Sequence, residues 1–189
     1  MRVETTNLPD VLLLVPVPHR DDRGFFTRTF DTVVFDDAAR QHGLDVRADQ
    51  FTQDSQSRSR PGVLRGLHGR IGRGEAKLVR CARGSVLDVL VDARRDSPAF
   101  GRHQTFVLDD VDHAHLFVPA GFLHGFVVTS GSDADVCYRI DRPHDPSEDV
   151  SVAFDDPDLA VAWPSGSFDV SDRDRGAGSW ADLTARLQQ

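Results

Sequence analysis

Short apolar runs, not long helical stripes, organise the middle of the chain. Lys77-Leu-Val-Arg-Cys81 is a β-like run, and Ala82-Arg-Gly84 behind it is turn chemistry. Ser85-Val-Leu-Asp-Val-Leu-Val-Asp92 is a second run, punctuated by Asp88 and Asp92. Ser97-Pro98 and Gly101 mark a turn before the run Gln104–Leu108. Leu116–Pro119, Gly125–Thr129 and Ala134–Ile140 continue the series. Strands at roughly ten-residue spacing, with turns between them, predict an all-β barrel or sandwich. Helices are expected only towards the ends, at Thr32–His42 before Gly43 and at Ser179–Gln189 after Gly176–Gly178. The polar tail after Trp163-Pro164 is expected to lie over the barrel. The division is one domain over 1–189, with an N-terminal arm to about residue 50, a barrel core over about 51–164 and a C-terminal arm from about 165.

Composition narrows the function classes. Of 189 residues, 39% are hydrophobic and 28% charged, a globular balance and not a disordered one. Lys plus Arg number 22 against 30 Asp plus Glu, so the net charge of -8 opposes nucleic-acid binding. A local basic pocket for a small phosphorylated ligand stays compatible with that sum. Stretches such as Val11–Pro18 are too short to span a bilayer, so no membrane partner is expected. The start, MRVETTNLPD, lacks the basic-then-apolar layout of a secretory leader. Cys81 and Cys137 cannot build a disulfide framework, and a cytoplasmic location is the expectation.

Candidate chemistry sits on the strands. Arg65-Gly66-Leu67-His68 lifts an Arg and a His beside a glycine that lets a ligand approach; a surface Arg and half-buried His is the plain alternative. Lys77 begins an apolar run, where a Lys needs an anion or a carboxylate partner. Pro119-Ala-Gly-Phe-Leu-His124 places a His where a strand starts, a common ligand position in a barrel mouth. Tyr138, the only tyrosine, reads by itself as packing with a bonded hydroxyl. His113-Ala-His115 invites a metal, since alternate strand residues face one way. No third ligand matches its spacing and Glu75 lies in a Gly-rich turn, so no metal is expected. Arg58, Arg60, Arg94 and Arg95 read as solvated charges. Asp155-Asp156-Pro157 and Asp172-Arg173-Asp174 read as turn residues.

Taken together the segments resemble the dTDP-4-dehydrorhamnose 3,5-epimerase family of cupin-type nucleotide-sugar epimerases. The resemblance rests on Asp22-Arg-Gly-Phe-Phe26, Gly62-Val-Leu-Arg-Gly-Leu-His68, Lys77-Leu-Val-Arg80, Gly84 with Asp88-Val-x-Val-Asp92, and Ser97-Pro-x-Phe-Gly101. It continues through Val118-Pro-x-Gly-Phe-x-His-Gly-Phe126, Tyr138, Asp155-Asp-Pro157, Trp163-Pro164 and Ser171-x-Arg-Asp174. The set keeps family order from about residue 10 to 175.

The resemblance implies a cupin β-barrel (jelly roll) with short flanking helices, a homodimer with shared sites, and no metal or organic cofactor. The implied substrate is a dTDP-4-keto-6-deoxyhexose, whose ketone acidifies the C3 and C5 protons. On this mapping His68 is the base, Asp174 or Asp172 its orienting carboxylate, Tyr138 the opposing acid, and Lys77 the cation at the keto oxygen. These residue types suit proton transfer next to a ketone. A His titrates near working pH, a carboxylate fixes its tautomer, and a cation stabilises an enolate. Arg65 and Arg173 map to diphosphate contacts, and Arg23 and Phe26 to nucleotide contacts reaching from a neighbouring subunit. Gln53, Ser55, His124, His144 and Glu148 map to further substrate contacts. The chain departs from the common pattern at Arg28 (for Glu), Ser55 (for Asn), Gly69-Arg70 (for an aromatic-Gln pair) and His144 (for a Tyr). These departures leave open whether C3, C5 or both are inverted. Ketoisomerisation on the same barrel, a metal-dependent cupin and a sugar-binding cupin without catalysis are the alternatives.

Overall fold

The computed structural model describes residues 1–188. The N-terminal segment forms β1 (Arg2–Thr5), β2 (Leu12–Val15), the hairpin strands β3 (His19–Asp21) and β4 (Gly24–Phe26), and helix α1 (Thr32–Gln41). Ten strands' worth of barrel and tail follow: β5 (Gln53–Ser59), β6 (Val63–Arg70), β7 (Lys77–Arg83), β8 (Ser85–Asp92), β9 (His103–Asp109), β10 (His115–Val118), β11 (Phe122–Val128), β12 (Ala134–Ile140), β13 (Asp149–Ser151) and β14 (Asp169–Val170). Two helices close the chain, α2 (Asp172–Arg175) and α3 (Trp180–Leu187). The expected C-terminal helix is therefore present, though Gln189 lies outside the described residues. No helix is long and apolar enough to cross a membrane, among the described residues.

Two sheets make a jelly roll. One runs β1-β2-β10-β7-β12-β5 and the other β13-β6-β11-β8-β9, with β14 added in parallel to β6. Alternation sets the core: Val79, Leu116, Ala134 and Val136 of the first sheet meet Val86, Leu90, Leu108, Phe126 and Val128 of the second. Each such buried Val, Leu or Phe side chain contributes about 1.5–3 kcal/mol against exposure. The outer face of the first sheet is covered by α1, where Phe35 packs on Phe117, Leu78 and Leu12. Asp31 caps that helix, accepting from the Val33 and Val34 amides.

The two arms are less separate than their polarity suggests. Residues 2–15 form the edge of the first sheet, with Leu12–Leu14 of β2 paired to His115–Phe117 of β10. At the other end Trp180 and Leu183 of α3 pack on Leu67, Val89, Val91 and Leu123. Asp88 and Asp92 lie within β8 and are fully buried; they do not punctuate it. Arg94 is not a solvated charge either. Its guanidinium meets Asp92 at 2.7 Å and Asp10 at 2.5 Å and lies over the Phe122 ring, because a buried Asp92 requires a cation.

Candidate active site

Strand β6 is the spine of the site. A Cβ on Gly66 would sit 2.5 Å from the Gly125 Cα, so only glycine lets β6 approach β11 there. The register shifts beside this point, after which His68 lies opposite His124. Gly69 is equally constrained, with Phe122 O at 2.9 Å from where a Cβ would stand.

Asp174 reaches His68 by way of the C-terminal segment. Strand β14 docks on β6 with Val170 beside Leu64, and the Ser171 hydroxyl then accepts from the Asp174 amide to start α2. Asp172–Asp174 are thus helical and not a turn, because Ser171 caps them. Asp174 is buried, and its Oδ1 lies 2.5 Å from His68 Nε2. Asp172 is fully exposed and lies near Arg175, which leaves Asp174 as the carboxylate at His68. Burial pulls the His68 imidazole below its ordinary value of 6.5, with the Asp174 hydrogen bond opposing.

The other candidate residues come from five strands. Tyr138 of β12 lies opposite Ser55 of β5, and its hydroxyl is 3.4 Å from Ser57 Oγ. Burial pushes its phenol up, so it stays protonated at neutral pH. His124 stands edge-on to Tyr138, ring centroids 6.1 Å apart, and its Nε2 is 2.7 Å from Asp88 Oδ2. Lys77 lies opposite Ile140 and finds its carboxylate in Glu75, at 2.9 Å. Arg65 bonds Ser59 Oγ and the Arg58 carbonyl and has no carboxylate partner among the described residues. Gln53 shares the Ser55 face of β5.

A second cluster surrounds Asp149 of β13. Arg173, His144 and Arg70 all lie within 3.4 Å of its carboxylate. Burial raises that carboxyl, but His144 and the two guanidinium groups outweigh it and hold it below the usual range. Glu148 is engaged by Arg142 at 3.1 Å. Arg23 and Phe26 stand apart on the β3–β4 hairpin, where Arg23 pairs with Asp21 at 2.6 Å.

The fold matches known proteins over nearly the whole chain. The family model for dTDP-4-dehydrorhamnose 3,5-epimerase matches residues 5–182. The chain belongs to the dTDP-4-dehydrorhamnose 3,5-epimerase family. It is 38% identical to the enzyme of that name from Pseudomonas aeruginosa over 96% of this chain and 97% of the relative. It superposes on the rmlC epimerase of Mycobacterium tuberculosis with TM-score 0.91 at 34% identity, covering 99% of this chain and 92% of that one. NovW, a 4-keto-6-deoxy sugar epimerase from the novobiocin gene cluster of Streptomyces spheroides, gives TM-score 0.90 at 34% identity over 99% and 91%.

Against the family pattern, the departures at Ser55, Arg70 and His144 fall on or beside the interior cluster, and Arg28 pairs with Asp31 near the hairpin. Asp88, Ser57 and Asp149, which contact candidate side chains, are not among the site candidates read from the sequence. Asp88 carried a signal, a carboxylate inside an apolar run, which demands a partner. His113 and His115 do not share a strand face: His113 precedes β10 with φ of 55°, and only His115 is in the strand. Burial drives the His115 imidazole down to about 3, so it stays neutral.

Proposed function

We propose that this chain epimerises a dTDP-4-keto-6-deoxyhexose at C3, C5 or both, as an isomerase of deoxysugar biosynthesis acting without metal or organic cofactor. The observation that carries the proposal is the His68–Asp174 contact, made across 106 positions of sequence inside a barrel of this family. In the proposed reaction His68 takes the proton α to the ketone, and Asp174 stabilises the resulting imidazolium. Electrons of the broken C–H bond pass to the carbonyl oxygen, where the Lys77 charge stabilises the enolate. As the enolate pair returns to carbon, Tyr138 delivers a proton to the opposite face and regains its own from solvent, to which the His68 imidazolium gives up the proton it took. Arg65, with no carboxylate partner among the described residues, takes the diphosphate, joined by Arg173. Gln53, Ser55, His124, His144 and Glu148 are assigned to the sugar and its surroundings, and Arg23 and Phe26 to the nucleotide of a neighbouring subunit's site. The two free, buried cysteines suit a reducing compartment, and a cytoplasmic location belongs to the proposal.

Incubation with dTDP-4-keto-6-deoxyglucose in D2O tests it. Deuterium at C3, C5 or both, with inverted product by NMR, is the expected result. A product with the carbonyl moved to C3 would replace epimerisation by ketoisomerisation, and no exchange at all would overturn the assignment.

A further inference from the structure

Two positions beyond His68 on β6, Arg70 ends the strand within a buried ion cluster. Its Nη1 lies 2.6 Å from Glu75 Oε2 and its Nε 3.4 Å from Asp149 Oδ1. Lys77 Nζ lies 2.9 Å from Glu75 Oε1. The two oxygens of Glu75 are therefore divided between Lys77 and Arg70. Arg70 and Glu75 are each only 7% exposed and Lys77 15%, so solvent screens little of this charge.

The charge sum matters for Lys77. A buried Lys on a single carboxylate is a neutral pair, and the carboxylate competes with any oxyanion for the ammonium. A second cation on the same carboxylate leaves the trio at a net +1. Asp149, the other anion near Arg70, is met separately by Arg173 at 3.4 Å and His144 at 3.1 Å. Glu75 Oε2 receives no aligned hydrogen bond, so Arg70 acts on it through charge and proximity and not through N–H direction.

We propose that Arg70 is a positioning residue of the epimerase reaction: by holding Glu75 it keeps Lys77 oriented while leaving a net positive charge towards the substrate's carbonyl oxygen. The proposal rests on the role given to Lys77 above.

The test uses Arg70→Gln, Arg70→Lys and Arg70→Gln with Glu75→Gln, measuring kcat and KM for deuterium wash-in and the affinity for dTDP. Arg70→Gln should lower kcat about tenfold to a hundredfold, less than outright loss of an oxyanion-stabilising group. KM and dTDP affinity should stay within about threefold, since uniform binding is not what the residue supplies. Adding Glu75→Gln should raise kcat again, because Lys77 is then no longer neutralised. A purely structural Arg70 requires the opposite, a double variant worse than the single one, and that result overturns the proposal. So does wild-type kcat in Arg70→Gln. If the Gln variant does not fold, Arg70→Lys decides, because it keeps the charge: kcat within about threefold of wild type supports the proposal and a larger loss overturns it. Wash-in undiminished by Lys77→Ala would instead overturn the role of Lys77 itself, and this proposal with it.

Discussion

On the proposed mechanism His68 sets the acid side of the activity profile. Its neutral imidazole would be the competent base, and burial lowers its pKa below 6.5 while Asp174 opposes that shift. The acid limb of kcat/KM is therefore expected below pH 6.5. Asp174→Asn removes the opposing interaction, so the limb should move lower still while kcat falls; a limb that moves upward would contradict the assignment. His68→Asn should lose solvent exchange by ~10²–10⁴ with folding intact. Tyr138→Phe keeps the ring's packing and should still wash deuterium into substrate, because abstraction precedes reprotonation, yet fail to invert. His144 is the competing acid, but it is exposed and engaged by Asp149. His144→Phe should invert normally, and the reverse pattern in these two variants would swap their roles.

At the scale of elements, a two-residue strand and a four-residue helix deliver Asp174. Arg175 donates to the Val170 carbonyl and Ser171 caps α2, so the segment is held at both ends. Ser171→Ala removes a cap worth ~1 kcal/mol. If that loss falls on the His68–Asp174 contact, kcat should drop about fivefold. Unchanged kcat with a lowered melting temperature would mean the cap serves stability alone. The strands between Lys77 and Ile140 were legible because they are short apolar runs bounded by turn residues, buried on one face in the barrel and on the other beneath the flanking segments. Strand β5 was not: its sequence QDSQSRS is polar throughout. Ser57 and Ser59 serve Tyr138 and Arg65, while Asp54 and Arg58 pair outward with Arg139 and Asp135 of β12. A strand facing a polar cavity on one side and solvent on the other carries no hydrophobic period to read. The candidate site's residue types were named from the sequence through family order. Its supporting carboxylates were not: Asp149 and Glu75 become partners only once β13 and the β6–β7 turn are folded against Arg70.

On the scale of the whole molecule, the hairpin β3–β4 leaves large apolar side chains outside the fold. Phe25 and Phe26 are 52% and 68% exposed, Val17 nearby 60%, and the Arg23 side chain 91%. Strand β5 likewise ends its sheet with an unpaired edge, a feature that soluble proteins cover. A homodimer in which the hairpin of one protomer completes the partner's site would account for both. Subunit mixing tests this. One variant carries Arg23→Ala with Phe26→Ala and keeps His68; the other carries His68→Asn and keeps the hairpin. Each homodimer should be nearly inactive. In a mixed dimer one site combines an intact His68 with an intact hairpin, and the other has neither. Random reassortment at equal concentration makes half the dimers mixed, so about a quarter of wild-type activity should return. Activity no greater than the sum of the parents would mean that each protomer's site is built from its own chain. A fully active monomer at micromolar concentration would mean the same, and the exposed Phe26 would then need another covering surface.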